Sequence, residues 1–431
     1  MRAKRLVCIR EYGYLVEGEA TTGLANGAWI PRSAFRYLKG LLQDEAFDEQ
    51  FAPFLKLTTF HRKTALKLQN YVGVLQTPCG TQIEILPKLY DEETRGSVEN
   101  TRNQLIKMLC CLRDSPVKRG NVSDIRDSQM PLLEIYIQQF LQEVNRLVKR
   151  GVRSDYVREQ MQAKYLKGRL LVAQQIRKNA MHPERFYIEC DEYRLDRPAN
   201  RLIKRTLELV RKAAQTSGNQ RLARELGFVF DEVPASPDVA ADFRRLKLNR
   251  SMGYYQSVLN WCRLLLNGSG PTASSGHFNT LSLLYPMERV FEDFVAFHLR
   301  KSIQADFGEG ASLRTQAAKH SLVESHENKP IFRLKPDLTV LRDEKPVCVM
   351  DTKWKLIDAS QRKNKYGISQ ADMYQLFAYG HKYLKSSHPK QLMLIYPKTE
   401  RFQSALPLFH YEDGFSLQVV PFDLDNGKLL F

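Results

Sequence analysis

The stretch Ile331–Lys355 (IFRLKPDLTVLRDEKPVCVMDTKWK) constrains this chain more than any other segment. Leu338–Leu341 and Val347–Met350 are two β-like runs, and the polar Arg342–Lys345 turns the chain between them. A hairpin folded about Asp343-Glu344 sets Asp337 nearly opposite Asp351. Two carboxylates facing each other across a strand pair repel. A divalent cation between them reverses the sign of that term, and oxygen donors of this kind suit Mg2+ or Mn2+. Asp351 and Lys353 are two apart on one strand, so their side chains share a face. The ammonium of Lys353 then reaches the same site. There it can orient or help deprotonate a water, or offset charge on a scissile phosphate. These are the parts of a metal-assisted phosphodiester hydrolase.

The neighbouring segments add to this reading. Ser369 with Asp372 three residues later has the pattern of a capping box. The helix it opens places Met373, Leu376, Phe377 and Gly380 on a buried face. Gln375 and Tyr379, four apart, project from adjacent turns of one face. Leu392–Tyr396 has the composition of a buried strand, and Met287–Arg300 is helical with Glu288 and Glu292 four apart. The predicted order is helix, strands, hairpin, helix, strand.

The rest of the chain divides by composition. Its 431 residues imply two or three domains. Residues 1–95 are strand-rich, with a hairpin in Leu68–Pro87 around a Pro78-Cys79-Gly80 turn. Residues 96–267 form a helical, basic middle region. Met130–Arg150 carries apolar residues at helical spacing before Gly151, and Asn200–Lys212 repeats the pattern with Leu202, Ile203, Leu207 and Val210. Gly268–Gly276 (GSGPTASSG) is a linker, and 277–431 form a final α/β domain. Asp191, Glu192, Arg194 and Asp196 suggest an ion-pair loop joining helices. Trp354 and Tyr374 suit packing around the hairpin and its helix rather than base stacking.

Formal net charge is +17, an excess that attracts polyanions and favours nucleic acid over a membrane surface. No apolar run reaches the length of a bilayer span, and the basic N-terminus lacks the apolar core of a signal peptide. The seven cysteines include no Cys-x-x-Cys pair, which fits a reducing, cytoplasmic protein without structural zinc. The histidines form no zinc-binding spacing, no Gly-x-Ser-x-Gly elbow supports acyl transfer, and no P-loop supports nucleotide hydrolysis.

Pro336-Asp337, Asp351-Thr352-Lys353 and Gln375…Tyr379 resemble the motifs of the PD-(D/E)xK nuclease superfamily, whose core is αβββαβ. The Gln-x-x-x-Tyr spacing is similar to its RecB-type branch. In that superfamily a glutamate on the first helix often assists the metal, which implies Glu292 here, with Glu288 as the alternative. Tyr71–Lys88, Lys167–Asn179, Phe186–Leu202 and Asp351–Lys355 together resemble the McrC family across nearly the whole chain, with departures in length around 214–220 and 268–276. That resemblance implies an α+β multidomain protein with a β-rich N-terminal domain, a helical basic middle and a C-terminal PD-(D/E)xK core. It also implies a catalytic set of Asp337, Asp351, Lys353, Gln375 and Tyr379, with metal ligands Asp337, Asp351 and Glu292. The expected partner is an McrB-like AAA+ GTPase hexamer, engaged by residues 1–95, which supplies GTP hydrolysis and recognises double-stranded DNA bearing modified cytosine. Two other expectations share the motif: a RecB-type repair nuclease acting without GTP, and a catalytically silent adaptor that only activates the ring.

Overall fold

The computed structural model describes residues 5–18, 24–42, 54–88, 98–113, 115–116, 130–248, 250–268, 281–385 and 390–431. They fall into two compact units. One spans residues 130–283; the other combines 5–129 with 284–431. The chain is therefore cut differently from the three consecutive blocks drawn from composition, since its N-terminal strands share a unit with its C-terminal α/β region. All but the first residue of the glycine-serine linker, 269–276, lies outside the described residues.

The N-terminal part holds β1 (Leu6–Arg10), β2 (Tyr14–Glu17), β3 (Gly27–Ile30), α1 (Arg32–Leu41), β4 (Leu55–Phe60), β5 (Lys63–Leu68), β6 (Tyr71–Gln76), β7 (Gln82–Leu86) and α2 (Val98–Leu109). The expected hairpin is β6–β7, with Gly73 opposite Ile85 and Gln76 opposite Gln82. β1 extends it in parallel beside β7, while β3-β2-β5-β4 make a second sheet. Inside the first sheet Glu84 is fully buried, and Arg102 on α2 neutralises it with bonds of 2.8 and 2.7 Å.

In the 130–283 unit, α3 (Leu132–Arg150) buries Leu132, Leu133, Ile137, Phe140, Leu141 and Val144 as its spacing predicts. It stops at Gly151, whose φ of 97° suits a residue without Cβ. The helical reading of the middle region fails between residues 155 and 194, and holds again over Asn200–Lys212, which buries Leu202, Ile203, Leu207 and Val210. β8 (Asp155–Ala163), β9 (Arg169–Leu170) and β10 (Phe186–Arg194) form an antiparallel sheet in the order β8-β10-β9, with α4 (Val172–Asn179) between β9 and β10. Asp191, Glu192 and Arg194 thus stand on a strand and not on a loop between helices. The overlooked signal is the period-two pattern of FYIECDEYR, which buries Ile188 and Cys190. Asp196 does pair with Arg201, at the start of α5 (Pro198–Ala213). There follow α6 (Ser217–Val229), α7 (Val239–Arg245) and α8 (Tyr255–Asn267). Buried Glu134 pins the turn between α5 and α6. It accepts from Gln215 N at 2.6 Å, Thr216 Oγ1 at 2.7 Å and Asn219 Nδ2 at 2.8 Å, bonds that offset the cost of taking its charge out of water.

The C-terminal part runs β11 (Ser282–Pro286), α9 (Met287–Phe307), β12 (Ala311–Thr315), β13 (His320–His326), β14 (Lys329–Leu334), β15 (Leu338–Arg342), β16 (Lys345–Thr352), α10 (Gln370–Tyr383), β17 (Lys390–Pro397), β18 (Phe409–His410), β19 (Phe415–Asp423) and β20 (Lys428–Leu429). Its main sheet has the order β12-β15-β16-β17-β19-β18, with β20 on β19. β15 and β16 are antiparallel, whereas β16, β17 and β19 are parallel and almost wholly buried. The β15–β16 turn is the expected Asp343-Glu344, with φ of 49° and 61°. Positive φ at both residues matches the twist of the flanking strands. The predicted order of helix, strands, hairpin, helix and strand is present, with β13–β14 inserted as a separate two-stranded ribbon. Helix α10 lies against β16 and β17. The capping box does not form: Ser369 makes no side-chain cap bond, because the Asp372 carboxylate is drawn to lysines instead. Trp354 is buried as expected, but Tyr374 is 65% exposed, its OH accepting from Gln370 Nε2 at 2.5 Å. All seven cysteines are free. Among the described residues no helix is long and apolar enough to cross a membrane.

Candidate active site

The hairpin register pairs Leu338 with Met350, so Asp337 and Asp351 flank the rung at which β15–β16 pairing ends, while β16 stays paired with β17 through Thr352. Asp337 Oδ2 accepts from the backbone N of Thr352 at 2.8 Å and from its Oγ1 at 2.7 Å. Burial nevertheless raises its pKa above the usual carboxylate range. Asp351 is only 2% exposed. Burial first, and then the Asp337 charge, push its carboxyl up to about 7. The site thus holds two carboxylates at a free-energy cost that a cation would relieve.

Lys353 stands on the same face, as the two-residue spacing predicts. Its Nζ lies 2.6 Å from Asp351 Oδ2. Burial opposes the ammonium, but Asp351, Asp372 and Asp337 outweigh it and raise the lysine pKa. Gln375 and Tyr379 complete a chain from α10. Lys353 Nζ donates to Gln375 Oε1 at 3.1 Å, Gln375 Nε2 to Tyr379 OH at 2.6 Å, and Tyr379 OH to the Lys335 carbonyl at 3.1 Å. The last bond returns to the segment that leads into Asp337.

Glu292 on α9 also approaches. Burial, then the Asp337 charge, raise its pKa to about 7. It is held by Arg113 at 3.1 Å and by Gln316 Nε2 at 3.1 Å. Glu288 faces elsewhere and accepts from Asn70 Nδ2 at 2.6 and 2.5 Å. Of the two glutamates, geometry brings Glu292 to the aspartates.

Among the described residues no three His, Cys, Asp or Glu side chains form a ready ligand cluster. Asp337 and Asp351, with Glu292 in electrostatic range, would be the oxygen donors to a cation here. This fits Mg2+, which is commonly bound through one or two carboxylates and keeps its remaining positions for water and phosphate. Four contributors escaped the sequence reading. Asp372 binds Lys355 at 2.9 Å and lies 3.7 Å from Lys353; its position three before Gln375 on one helix was the available signal. Arg113, Gln316 and Thr352 gave no local signal, because each is recruited by tertiary contact.

Fold and site together define a mixed α/β multidomain protein with a carboxylate–lysine site at the open end of a hairpin in its main sheet. The model of the McrBC 5-methylcytosine restriction system component matches residues 66–397, and the chain belongs to this family as one of its McrC members. It is similar to the type IV methyl-directed restriction enzyme EcoKMcrBC of Escherichia coli (strain K12), with 23% identity over 296 residues, 66% of this chain and 81% of that one. Its fold matches a chain of the refined half-complex from the tetradecameric assembly of Thermococcus gammatolerans McrB AAA+ hexamers with bound McrC. The TM-score is 0.72 at 18% identity, covering 99% of this chain and 96% of that one. A second match, in the Thermococcus gammatolerans McrBC complex, has a TM-score of 0.51 at 18% identity and covers 69% and 88%.

Proposed function

We propose that this chain is the endonuclease subunit of a modification-dependent, type IV restriction complex. It hydrolyses DNA phosphodiester bonds at the Asp337–Asp351 site with Mg2+ or Mn2+. The supporting observation is the convergence, at one hairpin end, of two buried carboxylates with raised pKa and a lysine fixed by hydrogen bonds. The order α9, β12, β15, β16, α10, β17 supports this reading, since a PD-(D/E)xK core runs αβββαβ.

Asp337 and Asp351 would hold the cation, with the Glu292 carboxyl beside them. When bound, the cation polarises the phosphate and lowers the pKa of an attacking water. Lys353 Nζ orients that water or offsets charge growing on the phosphate. Gln375 and Tyr379 keep the ammonium in place, so it loses little freedom when substrate arrives. The overall positive charge draws duplex DNA to the protein.

Since the sequence has no P-loop, GTP enters only through a partner. In this reading the partner is an McrB-like AAA+ GTPase hexamer that recognises modified cytosine, and residues 1–95 engage and stimulate it. The test is cleavage of methylated duplex by the reconstituted complex with GTP and Mg2+. Asp337→Ala and Asp351→Ala should each abolish cutting and leave GTPase stimulation intact. Cutting that survives both changes overturns the site. Degradation of linear DNA with Mn2+ by the chain alone, without GTP, transfers it to the RecB-type reading.

A further inference from the structure

The β13–β14 ribbon is built into the edge of the site but takes no part in its chemistry. It starts four residues after Gln316, which bonds Glu292 and donates its backbone N to the Asp337 carbonyl at 2.9 Å. It ends three residues before Asp337 itself. Tyr383 clamps the base: its OH donates to the Leu334 carbonyl at 3.0 Å and accepts from Lys319 N at 3.2 Å. Beyond that base the ribbon is largely exposed, with seven residues in β13 and six in β14.

Three features of the ribbon have no explanation within the protein. First, Leu322 and Phe332, between the paired rungs Ser321–Arg333 and Val323–Ile331, are apolar side chains that are 50% and 68% exposed. Secondly, Phe332 lies in a strand yet has a φ of 56°, a left-handed conformation that a bulky residue rarely adopts and that tends to collect at functional sites. Thirdly, the exposed charges are mostly positive: Lys319, Lys329, Arg333 and Lys335, with His320 and His326. Against them stand Glu324, which Lys382 neutralises at 3.0 Å, and Glu327 in the turn.

We propose that this ribbon enters a groove of duplex DNA beside the cut, with Phe332 as a wedge against the bases and its lysines and arginine on the flanking phosphates. A two-stranded β-ribbon fits the major groove. Apolar wedges from nucleic-acid-binding proteins enter base steps and open them. The charge of the strands complements phosphate rather than an apolar protein surface, and the ribbon's base is fastened to the residues that hold Asp337 and Glu292. The proposal rests on the nuclease reading, and it adds how the duplex is gripped and distorted there.

The test uses the full chain carrying Asp351→Asn, so that binding is read without cutting, and a duplex with 2-aminopurine placed along it. Phe332→Ala should weaken duplex binding about tenfold, the effect of removing one stacked ring. It should also abolish the rise in 2-aminopurine fluorescence. Lys329→Gln with Arg333→Gln should reduce the slope of log affinity against log salt by about 2. Phe332→Gly relieves the backbone strain, so the folded protein should melt no lower than its parent. Unchanged affinity and fluorescence in Phe332→Ala overturn the proposal, as does a chain that binds no duplex. So does a loss confined to GTPase stimulation of the partner ring, which would make the ribbon a protein-contact surface. If Phe332 governs duplex binding but the unmutated chain with its partner never cuts, the nuclease reading fails and the ribbon assignment stands.

Discussion

Asp351→Asn should stabilise the metal-free protein at pH 8 while destroying its activity. Asp351 is 2% exposed and its carboxyl is raised from 3.8 to about 7. Because the folded pKa lies above the unfolded one, the folded state holds the proton more tightly. The contribution is fully present below about pH 4 and is lost as the pH rises through 7. At about 1.36 kcal/mol for each tenfold change, the loss approaches about 4 kcal/mol above pH 8. Asparagine keeps the shape without the charge and so avoids the loss. Lys353 remains near Asp372, at 3.7 Å, and within hydrogen-bond distance of Gln375, so the substitution does not strand the ammonium. The assay is thermal unfolding of both proteins in EDTA at pH 8 and pH 5, repeated with Mg2+. The variant should melt several degrees higher at pH 8 in EDTA, with a smaller gap at pH 5. Mg2+ should raise the melting temperature of the parent only. A variant that melts lower than its parent at pH 8 in EDTA would refute the claim that the site stores carboxylate repulsion for a cation to relieve.

Two further outcomes follow from the contacts around that site. Tyr379→Phe removes the hydroxyl that joins Gln375 to the Lys335 carbonyl; cleavage by the full complex should fall about 10–100-fold with Mg2+ binding unchanged, as expected when a reacting group is misplaced, and an unaltered single-turnover rate would remove the tyrosine from the positioning chain. Glu84→Gln breaks the buried pair with Arg102 and should cost about 3–5 kcal/mol in a denaturant titration. A loss under about 1 kcal/mol there would mean that the guanidinium finds water or another acceptor.

The site was legible because its chemistry is local. Asp337, Asp351 and Lys353 lie within seventeen residues on one hairpin, and strand periodicity alone gives their faces. Gln375 and Tyr379 were legible from helix spacing. What stayed hidden depended on distant partners. Arg113 reaches Glu292 and Asp293 across roughly 180 positions, and nothing around it marks the destination. Turn chemistry hid other elements. His61-Arg62, Glu327-Asn328 and Asp343-Glu344 all turn with positive φ at both residues and without glycine, so the usual Asn-Gly signal is missing. Only the last was found, because the apolar runs on either side pointed to it. In the middle region, basic helices on both sides drew attention from β8–β10, whose alternation is diluted by charged residues on the outer face.

The boundary drawn at the glycine-serine linker falls close to the division at 283/284, but the N-terminal strands lie in the same unit as the C-terminal α/β region. Glu11, between β1 and β2, is 1% exposed and accepts from Trp354 Nε1 at 2.8 Å and from Lys88 N at 2.8 Å. Trp354 directly follows Lys353 and packs on Phe291, the neighbour of Glu292, with ring centroids 5.3 Å apart. The Asn70 carbonyl receives Met287 N at 2.8 Å, and its side chain holds Glu288. The first turn of α9 and the end of the catalytic strand are thus fastened by residues from the first 88 positions. A fragment starting at residue 277 would retain the motif intact. It would also leave the Trp354 indole without an acceptor, strip one wall from α9 and remove the Arg113 that holds Glu292. Each loss falls on a residue adjacent to the carboxylates or to the lysine, so the N-terminal strands are part of what makes this site rather than an appendage to it.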